Sequence, residues 1–266
     1  MEHDYAPPSS DPAQIEPLVL ELSRYVASPD PVLRDKFAYS ILASWIFQKK
    51  IVQPALLRTL MADWTANLHA EIGSTGTDAV FRRSFSALML SVIVAHDNAA
   101  PFLEAGEVRG LLTAALTYLH DEKDVRGYDA QKGWMHSCAH TADLLKFIAR
   151  SRYVEPADQA RLLDAIVAKL HDTPEVFTHG EDERLARTIL AVVNRKDFDT
   201  EAFTAWVTRS VPKAPTDSLP DPSILTAYQN VTNLFAKLEV LLSVQDPTPA
   251  ITTSRDAVRA VLRKLF

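Results

Sequence analysis

Apolar side chains recur along almost the whole chain at spacings of three and four residues, which is the pattern of an amphipathic helix. Alternation of apolar and polar residues, the pattern of a half-buried strand, is hard to find. N-cap residues and prolines at first helical positions mark several helix starts, among them Asp30 with Pro31, Pro54 and Pro156. The pattern therefore predicts about eleven helices of roughly 12 to 20 residues, joined by short connections.

Successive amphipathic helices with short connections pack as antiparallel pairs. A long series of such pairs builds an α-solenoid or α-α superhelix of the HEAT or armadillo kind, whereas a closed helical bundle would have the same secondary structure. We favour the solenoid, with degenerate repeats because the sequence has no strict period. The expected fold is all-α, with helix over more than roughly 60% of the residues and only incidental strands.

Proline placement predicts the domain limits. Residues 1–12 hold three prolines and no apolar run, so this tail is expected to be disordered and is not a signal peptide. Residues 13–266 are expected to form a single helical domain. Within that domain, residues 211–222 contain four prolines and predict a linker or an extended crossing before the last two helices.

Composition and charge exclude several classes of protein. Only 7 of the 266 residues are glycine, about 3% against a usual value near 7%. Few positions therefore suit primed hairpin turns or phosphate-binding loops, which disfavours an all-β fold and a Rossmann or P-loop enzyme. The formal net charge is -6, and the chain has no block of lysine and arginine, so nucleic acid is not an expected partner.

The apolar segments and the single cysteine indicate the compartment. The most apolar stretch, residues 85–95, is about half as long as a membrane span requires, so no membrane association is expected. Cys138 is the one cysteine and cannot form an internal disulfide. We predict a cytoplasmic protein, monomeric by default because pairing the helices leaves no single apolar stripe exposed.

Polar residues concentrate between positions 124 and 143, a segment with two of the seven glycines. On a helix predicted over residues 132–150, His136, His140 and Asp143 lie at i, i+4 and i+7 and share one face. Two histidines so spaced can give two nitrogens to one divalent metal ion, as in zinc-binding HExxH helices, but no glutamate lies between them as general base. The same face equally suits an organic ligand without metal, or two histidines with structural roles.

Other positions carry structural expectations. The opposite side of that predicted helix holds Trp134 and would face the core, so Trp134 should be more buried than Lys132. Arg82 and Arg83, at the start of the fourth helix, could bind an anion but are expected instead to pair with nearby carboxylates. Asn230, on the apolar penultimate helix, is expected to satisfy backbone groups of a neighbouring loop.

Residues 178–184 bring a second group of polar side chains to the start of the eighth predicted helix. Thr178 and Glu181 fit a capping box, which gives Glu181 a structural role. In a stack of helix pairs, the start of this helix and the start of the sixth can lie at the same end. We therefore expect one pocket, with the candidate ligand-binding residues Arg126, Tyr128, Lys132, Trp134, His136, His140, Asp143, His179, Glu183 and Arg184.

Two motifs carry a resemblance to a known family. The first runs from Asp124 to Leu145 and reads D-x-R-G-Y…K-G-W-x-H-S-x-A-H-x-A-D-L-L; the second, V-F-x-H-G-E-D-E-R-L-A, runs from Val176 to Ala186. With shorter segments elsewhere, they resemble the bacterial domain-of-unknown-function family 2785 over residues 18–241. The resemblance implies a helical-repeat fold and a bacterial source, and it implies no activity.

Three functions fit these residues, and whether the chain is an enzyme stays open. The first is a binding module that holds a small molecule or a protein partner in a polar groove at the first motif. The alternative is a metal-assisted hydrolase, in which His136, His140 and Asp143 with His179 or Glu183 hold an ion and a carboxylate activates water. The third is a scaffold in which the motif only ties helices together.

Overall fold

A computed structural model describes residues 5–212 and 221–265. Over these residues the structure is 70% helical with almost no strand, which confirms the all-α prediction. The solenoid arrangement stays a prediction. In the described ranges the α-helices are α1 (Pro12–Tyr25), α2 (Ser40–Ala43), α3 (Pro54–Asn67), α4 (Ala79–Ala99), α5 (Ala105–Asp121), α6 (Ser137–Ala149), α7 (Pro156–Asp172), α8 (Glu181–Val193), α9 (Thr200–Arg209), α10 (Pro222–Ser243) and α11 (Pro249–Leu265).

Local capping explains where several of these helices begin. The carboxylate of Asp11 accepts a hydrogen bond from the backbone N–H of Ala13 and caps α1. The carboxylate of Asp199 accepts from two backbone N–H groups in the same way and caps α9. Proline occupies the first turn of α3, α7 and α10, where its missing N–H costs nothing.

Two π-helical stretches, Val32–Tyr39 and Ser44–Gln48, flank the short helix α2. Widened turns of this kind are rare and often lie at functional sites. The first stretch contains Arg34, whose side chain is fully buried.

Contacts within the chain divide it into two compact units, one ending at Leu144 and the other starting at Leu145. In the first unit, α4 packs against α3 and against the second π-helical stretch. Among the described residues α4 alone is long and apolar enough to span a membrane, and 89% of its apolar window is buried. That burial is typical of the core helix of a soluble protein.

In the second unit, α10 packs against α7, α8 and α11, and α11 packs against α9. The buried amide of Asn230 on α10 accepts from the backbone N–H of Phe177 at 2.9 Å and donates to the carbonyl of Glu175 at 3.1 Å. The prediction that Asn230 satisfies backbone groups of a neighbouring loop is therefore confirmed. It ties the loop before α8 to the central helix of the unit.

The largest departure from the predicted elements is at residues 128–134. Helix α6 begins at Ser137 instead of residue 132, and the preceding residues form a hairpin of β1 (Tyr128–Asp129) and β2 (Gly133–Trp134). The Asp129 carboxylate accepts from the backbone N–H groups of residues 131 and 132, which closes the turn. Gly133 has φ +75°, a conformation that glycine adopts without strain.

Most of the predicted proline-rich linker, residues 213–220 of 211–222, lies outside the described residues. The same holds for residues 1–4 of the predicted N-terminal tail. The described part of that tail, residues 5–11, contains no helix. Disorder of the tail and the single-domain organisation of residues 13–266 stay predictions.

Candidate functional site

The hairpin rests on a buried arginine. The Nη2 atom of Arg34 donates to the carbonyl of Lys132 at 2.7 Å, and Nη1 donates to the carbonyl of Ser28 at 2.9 Å. The guanidinium also lies over the rings of Phe81 and Phe85, 4.1 and 4.6 Å from their centroids. Burial lowers the pKa of Arg34, although a 2.7 Å ion pair with the neighbouring Asp35 opposes this.

A second anchor lies under the start of the hairpin at Asp124, whose side chain is buried. Its carboxylate accepts from Nε and Nη2 of Arg126 at 2.8 and 2.6 Å, and from the backbone N–H of Gly76 at 3.0 Å. Arg126 also donates to the carbonyl of Thr77. The hydrogen bonds that Arg126 donates to Asp124 raise the pKa of Arg126. Arg126 therefore stabilises the loop between α5 and the hairpin.

Lys132 contributes less than Arg126 to the stability of the hairpin. Its Nζ lies 2.6 Å from the carboxylate of Asp78, with both side chains close to half exposed. Exposed pairs of this kind contribute about 0 to 1 kcal/mol to stability. The ammonium therefore remains accessible to solvent at the edge of the hairpin.

A row of rings leads from the surface of the hairpin into the core. We name as the aromatic row Tyr128, Trp134, His136, His140 and Phe85. Tyr128 and Trp134 lie opposite each other across the two strands with ring centroids 4.8 Å apart. Trp134 stacks on His136 at 4.2 Å with an interplanar angle of 27°. His136 meets His140 edge-on at 5.7 Å, and His140 meets Phe85 edge-on at 4.8 Å.

Exposure along the aromatic row reverses one prediction. Tyr128 is 52% exposed and Trp134 41% exposed, whereas Lys132, counted over its backbone and side chain together, is less exposed than Trp134. The expectation that Trp134 is more buried than Lys132 is wrong, because Trp134 lies on a strand of the hairpin and not on the inner face of a helix. The large exposed rings are thus the outer end of the row.

His136 lies directly before α6 and not within it. Its φ is +49°, an uncommon value for a residue with a side chain, and its carbonyl accepts from the backbone N–H of His140 at 2.9 Å. His136 and His140 therefore keep the helical i, i+4 hydrogen bond, although His136 is the residue before the first residue of α6. His136, His140 and Asp143 are all buried. In the described parts of the chain, no three His, Cys, Asp or Glu side chains are grouped to hold a metal ion.

Hydrogen bonding sets the tautomer of His140. The hydroxyl of Ser84 donates its one proton to the carbonyl of Met135, and its oxygen lies 2.8 Å from Nδ1 of His140. Nδ1 of His140 must then carry a hydrogen and donate it to Ser84. In the neutral imidazole this arrangement leaves the lone pair on the second ring nitrogen, Nε2.

The second motif lies in the other compact unit. The capping box of Thr178 is wrong, because the N-cap of α8 is Gly180 at φ +88°. Glu181 still caps locally, accepting from the backbone N–H of His179 at 2.8 Å. Glu183 pairs with Arg187 at 2.7 Å, and the hydrogen bond lowers the pKa of Glu183.

The seven candidates of the first motif lie in one unit, and four of them, Tyr128, Trp134, His136 and His140, contact one another in the aromatic row. The three candidates of the second motif are exposed or half-buried at the start of α8: His179, Glu183 and Arg184. Convergence of the two motifs on one pocket stays a prediction. Sequence reasoning did not assign Arg34, Ser84 and Phe85 to the site, although all three lie in segments that resemble the family.

Comparison with known proteins adds one match. The model of a family described as "Protein of unknown function (DUF2785)" matches residues 68–240, which include both motifs. No curated protein and no solved structure matches the chain.

Proposed function

The chain belongs to the DUF2785 family, and we propose that it is a binding protein that takes a small ligand with a flat ring face at Tyr128 and Trp134. The observation that carries this proposal is the exposure of two neighbouring large rings on a hairpin with a buried polar foundation. A ligand that covers an exposed aromatic pair removes apolar surface from water, which favours binding, and the faces of the two rings can stack on a ring of the ligand.

Rigidity supports the proposal. The strands of the hairpin are held by Arg34 beneath Lys132 and by Asp124 beneath Arg126, so the two exposed rings need little ordering when a ligand arrives. Presenting a binding surface in its bound conformation lowers the entropy cost of association. A hairpin needed only to connect α5 and α6 would not require exposed rings.

Polar groups around the rings give the ligand its orientation. His136 lies under Trp134, and His140 behind it has its tautomer set by Ser84. Lys132 places an ammonium at the edge of the hairpin. We therefore expect a ring that carries polar substituents, as a nucleoside or a sugar does.

A small molecule fits this surface better than a protein partner. Two half-exposed rings cover far less than the roughly 800 Å² that each partner contributes to a standard protein interface. The metal-assisted hydrolase draws no support from the described residues, since His136, His140 and Asp143 are not grouped for an ion. We further propose that the protein is bacterial, cytoplasmic and monomeric, and that it binds neither nucleic acid nor membrane.

The first prediction concerns Trp134. In a two-dimensional NMR spectrum its indole N–H signal, identified by its absence from Trp134→Phe, should shift saturably with at least one of adenosine, uridine and glucose. Trp134→Ala lacks this signal, so its affinity is measured by ligand-observed titration; it should be weaker by about fivefold or more, since stacking a base on an aromatic ring contributes about 1–3 kcal/mol.

The matched control is Tyr25→Ala, which removes an exposed ring from α1, outside the aromatic row. It should leave the affinity unchanged. Equal affinity in Trp134→Ala and the unaltered protein, or no response of the Trp134 signal to any of the three probes at millimolar concentration, would contradict the proposal.

A further inference from the structure

The second unit contains a cleft of about 220 Å³ between α7, the end of α8 and α9. It lies among residues 156–209 and shares no residue with the aromatic row. Its principal walls are formed by Gln159, Leu163, Val192, Phe198, Phe203 and Trp206.

The lining of this cleft is predominantly apolar and aromatic. The rings of Phe198 and Phe203 have centroids 5.4 Å apart, and Phe203 and Trp206 are separated by the same distance. Phe203 and Trp206 are buried and form the floor, whereas Ala160 and Ala202 line the cleft at exposed positions on α7 and α9. Small residues at these positions leave the aromatic floor open to a molecule entering from solvent.

One polar side chain in the floor lacks a partner. Gln159 is 5% exposed, and its Nε2 has no hydrogen-bond partner among the described residues. Asp197 is a candidate acceptor: interaction with the Gln159 amide helps to lower the pKa of the Asp197 carboxyl, after the larger effect of Arg195, but no atom of Asp197 meets hydrogen-bond geometry with Nε2. A buried amide without its hydrogen bond is unfavourable. An acceptor on a bound molecule would supply the missing partner after a rotation of the terminal amide.

Trp206 differs from Gln159 in the surroundings of its N–H group. Its Nε1 also lacks a hydrogen-bond acceptor in the described structure, but its ring meets Phe235 edge-on at 6.0 Å and 86°. An N–H at a ring edge is favourably placed against an aromatic face. Gln159 is therefore the side chain of the cleft that still needs a hydrogen-bond acceptor.

Charge at the rim favours a neutral ligand. Arg209 lines the cleft and pairs with Asp164 of α7 at 2.8 Å. This ion pair joins α9 to α7 and compensates the guanidinium. Asp199 also lines the cleft, and its carboxylate accepts from backbone N–H groups at the start of α9, so the lining offers an aromatic surface, one amide and no unpaired cation for an anionic ligand.

We propose that this cleft is a binding site for a neutral aromatic molecule of one or two rings that bears a hydrogen-bond acceptor, received by Nε2 of Gln159. The size agrees, because an apolar cavity of about 150 Å³ holds benzene and the cleft is larger. The site is independent of the ligand proposed for Tyr128 and Trp134.

Quinoline and naphthalene test this assignment, because they have nearly the same shape and only quinoline carries an acceptor nitrogen. Ligand-observed NMR titration of the unaltered protein gives the ratio of the quinoline affinity to the naphthalene affinity. Gln159→Leu should lower this ratio about fivefold while naphthalene still binds, because one hydrogen bond contributes about 1 kcal/mol. A ratio that is unchanged in Gln159→Leu would overturn the role of Gln159.

A blocking variant tests the location. Ala202→Trp places a large ring over the cleft from an exposed position on α9, so it should abolish binding of both probes without disturbing the core. Ala157→Trp is the matched control, since Ala157 is exposed on α7 and does not line the cleft; it should bind both probes normally. Binding that survives Ala202→Trp would place the probes elsewhere and contradict the site.

Discussion

At the scale of single residues, the buried charges of this protein are held by matched partners. Arg83 on α4 is fully buried and donates from Nε and Nη2 to the two carboxylate oxygens of Glu122 at 2.6 and 2.9 Å. Its Nη1 donates to the carbonyls of Ala70 and Glu71. Burial by itself lowers the pKa of Arg83, but Glu122 more than compensates, so the pKa is raised. The expected carboxylate partner of Arg83 is thus confirmed.

The second prediction follows from this pair. Arg83→Leu should lower the free energy of unfolding by about 3–5 kcal/mol, because it leaves the Glu122 carboxylate buried without its cation. The double variant with Glu122→Leu should recover part of this loss. Denaturant unfolding followed by circular dichroism measures both quantities.

Arg82→Leu is the control, since Arg82 is the exposed neighbour on the same helix, and it should change stability by less than about 0.5 kcal/mol. If Arg83→Leu were no more destabilising than Arg82→Leu, the pair would have no structural role.

At the scale of elements, the hairpin of β1 and β2 decides where the aromatic row lies. The carbonyl of Lys132, immediately before β2, approaches Arg34 closely, and the glycine at 133 makes that approach sterically feasible. A Cβ at position 133 would lie 3.1 Å from Cβ of Pro31 and 3.2 Å from Nη2 of Arg34. Backbone conformation and packing therefore both require glycine there.

The third prediction compares two glycines with nearly the same positive φ, which would strain an alanine equally at either position. Gly133 and Gly76 have φ of +75° and +74°, but a Cβ at Gly76 would meet nothing within 4 Å. Gly76→Ala should therefore cost only the conformational term, about 1–2 kcal/mol. Gly133→Ala should cost more, because Arg34 and Pro31 must also move, and it should shift the NMR signal of the Trp134 indole. Equal losses of stability in the two variants would show that the close approach to Arg34 is unimportant.

At the scale of the whole molecule, each compact unit has its own central helix, α4 in the first and α10 in the second. Helix α4 is buried on nearly all sides and carries polar groups into the core, among them His96. Burial lowers the pKa of His96 from its ordinary value of 6.5, and a hydrogen bond with the backbone of Ile46 opposes this shift. The folded protein thus favours a neutral imidazole at this position.

The fourth prediction concerns the pH dependence of stability. Between the lowered pKa of His96 and 6.5 the unfolded chain binds more protons than the folded protein, so the free energy of unfolding should fall as the pH drops through this window. His96→Gln should flatten that slope in thermal or urea unfolding measured across the window. His69→Gln, at an exposed position, should keep the slope of the unaltered protein. A slope unchanged in His96→Gln would assign the pH dependence to other groups.

Much of the fold could be predicted because helices begin and end through interactions within one or two turns. The starts of α3 and α7 at Pro54 and Pro156, and of α9 after Asp199, follow from residues at those positions alone. The amphipathic pattern and the residues at helix starts therefore determined the all-α class and where several helices begin.

Only the tertiary structure decided what happens at residues 128–134. The segment is a hairpin and not the first turns of α6, because the carbonyl of Lys132 is bound by Arg34, 98 positions earlier in the chain. Likewise Ser84, on a different helix, sets the tautomer of His140, and the exposure of Trp134 depends on the hairpin. A local pattern records the period of a helix, whereas a buried cation and its distant acceptor are brought together only when the chain has folded.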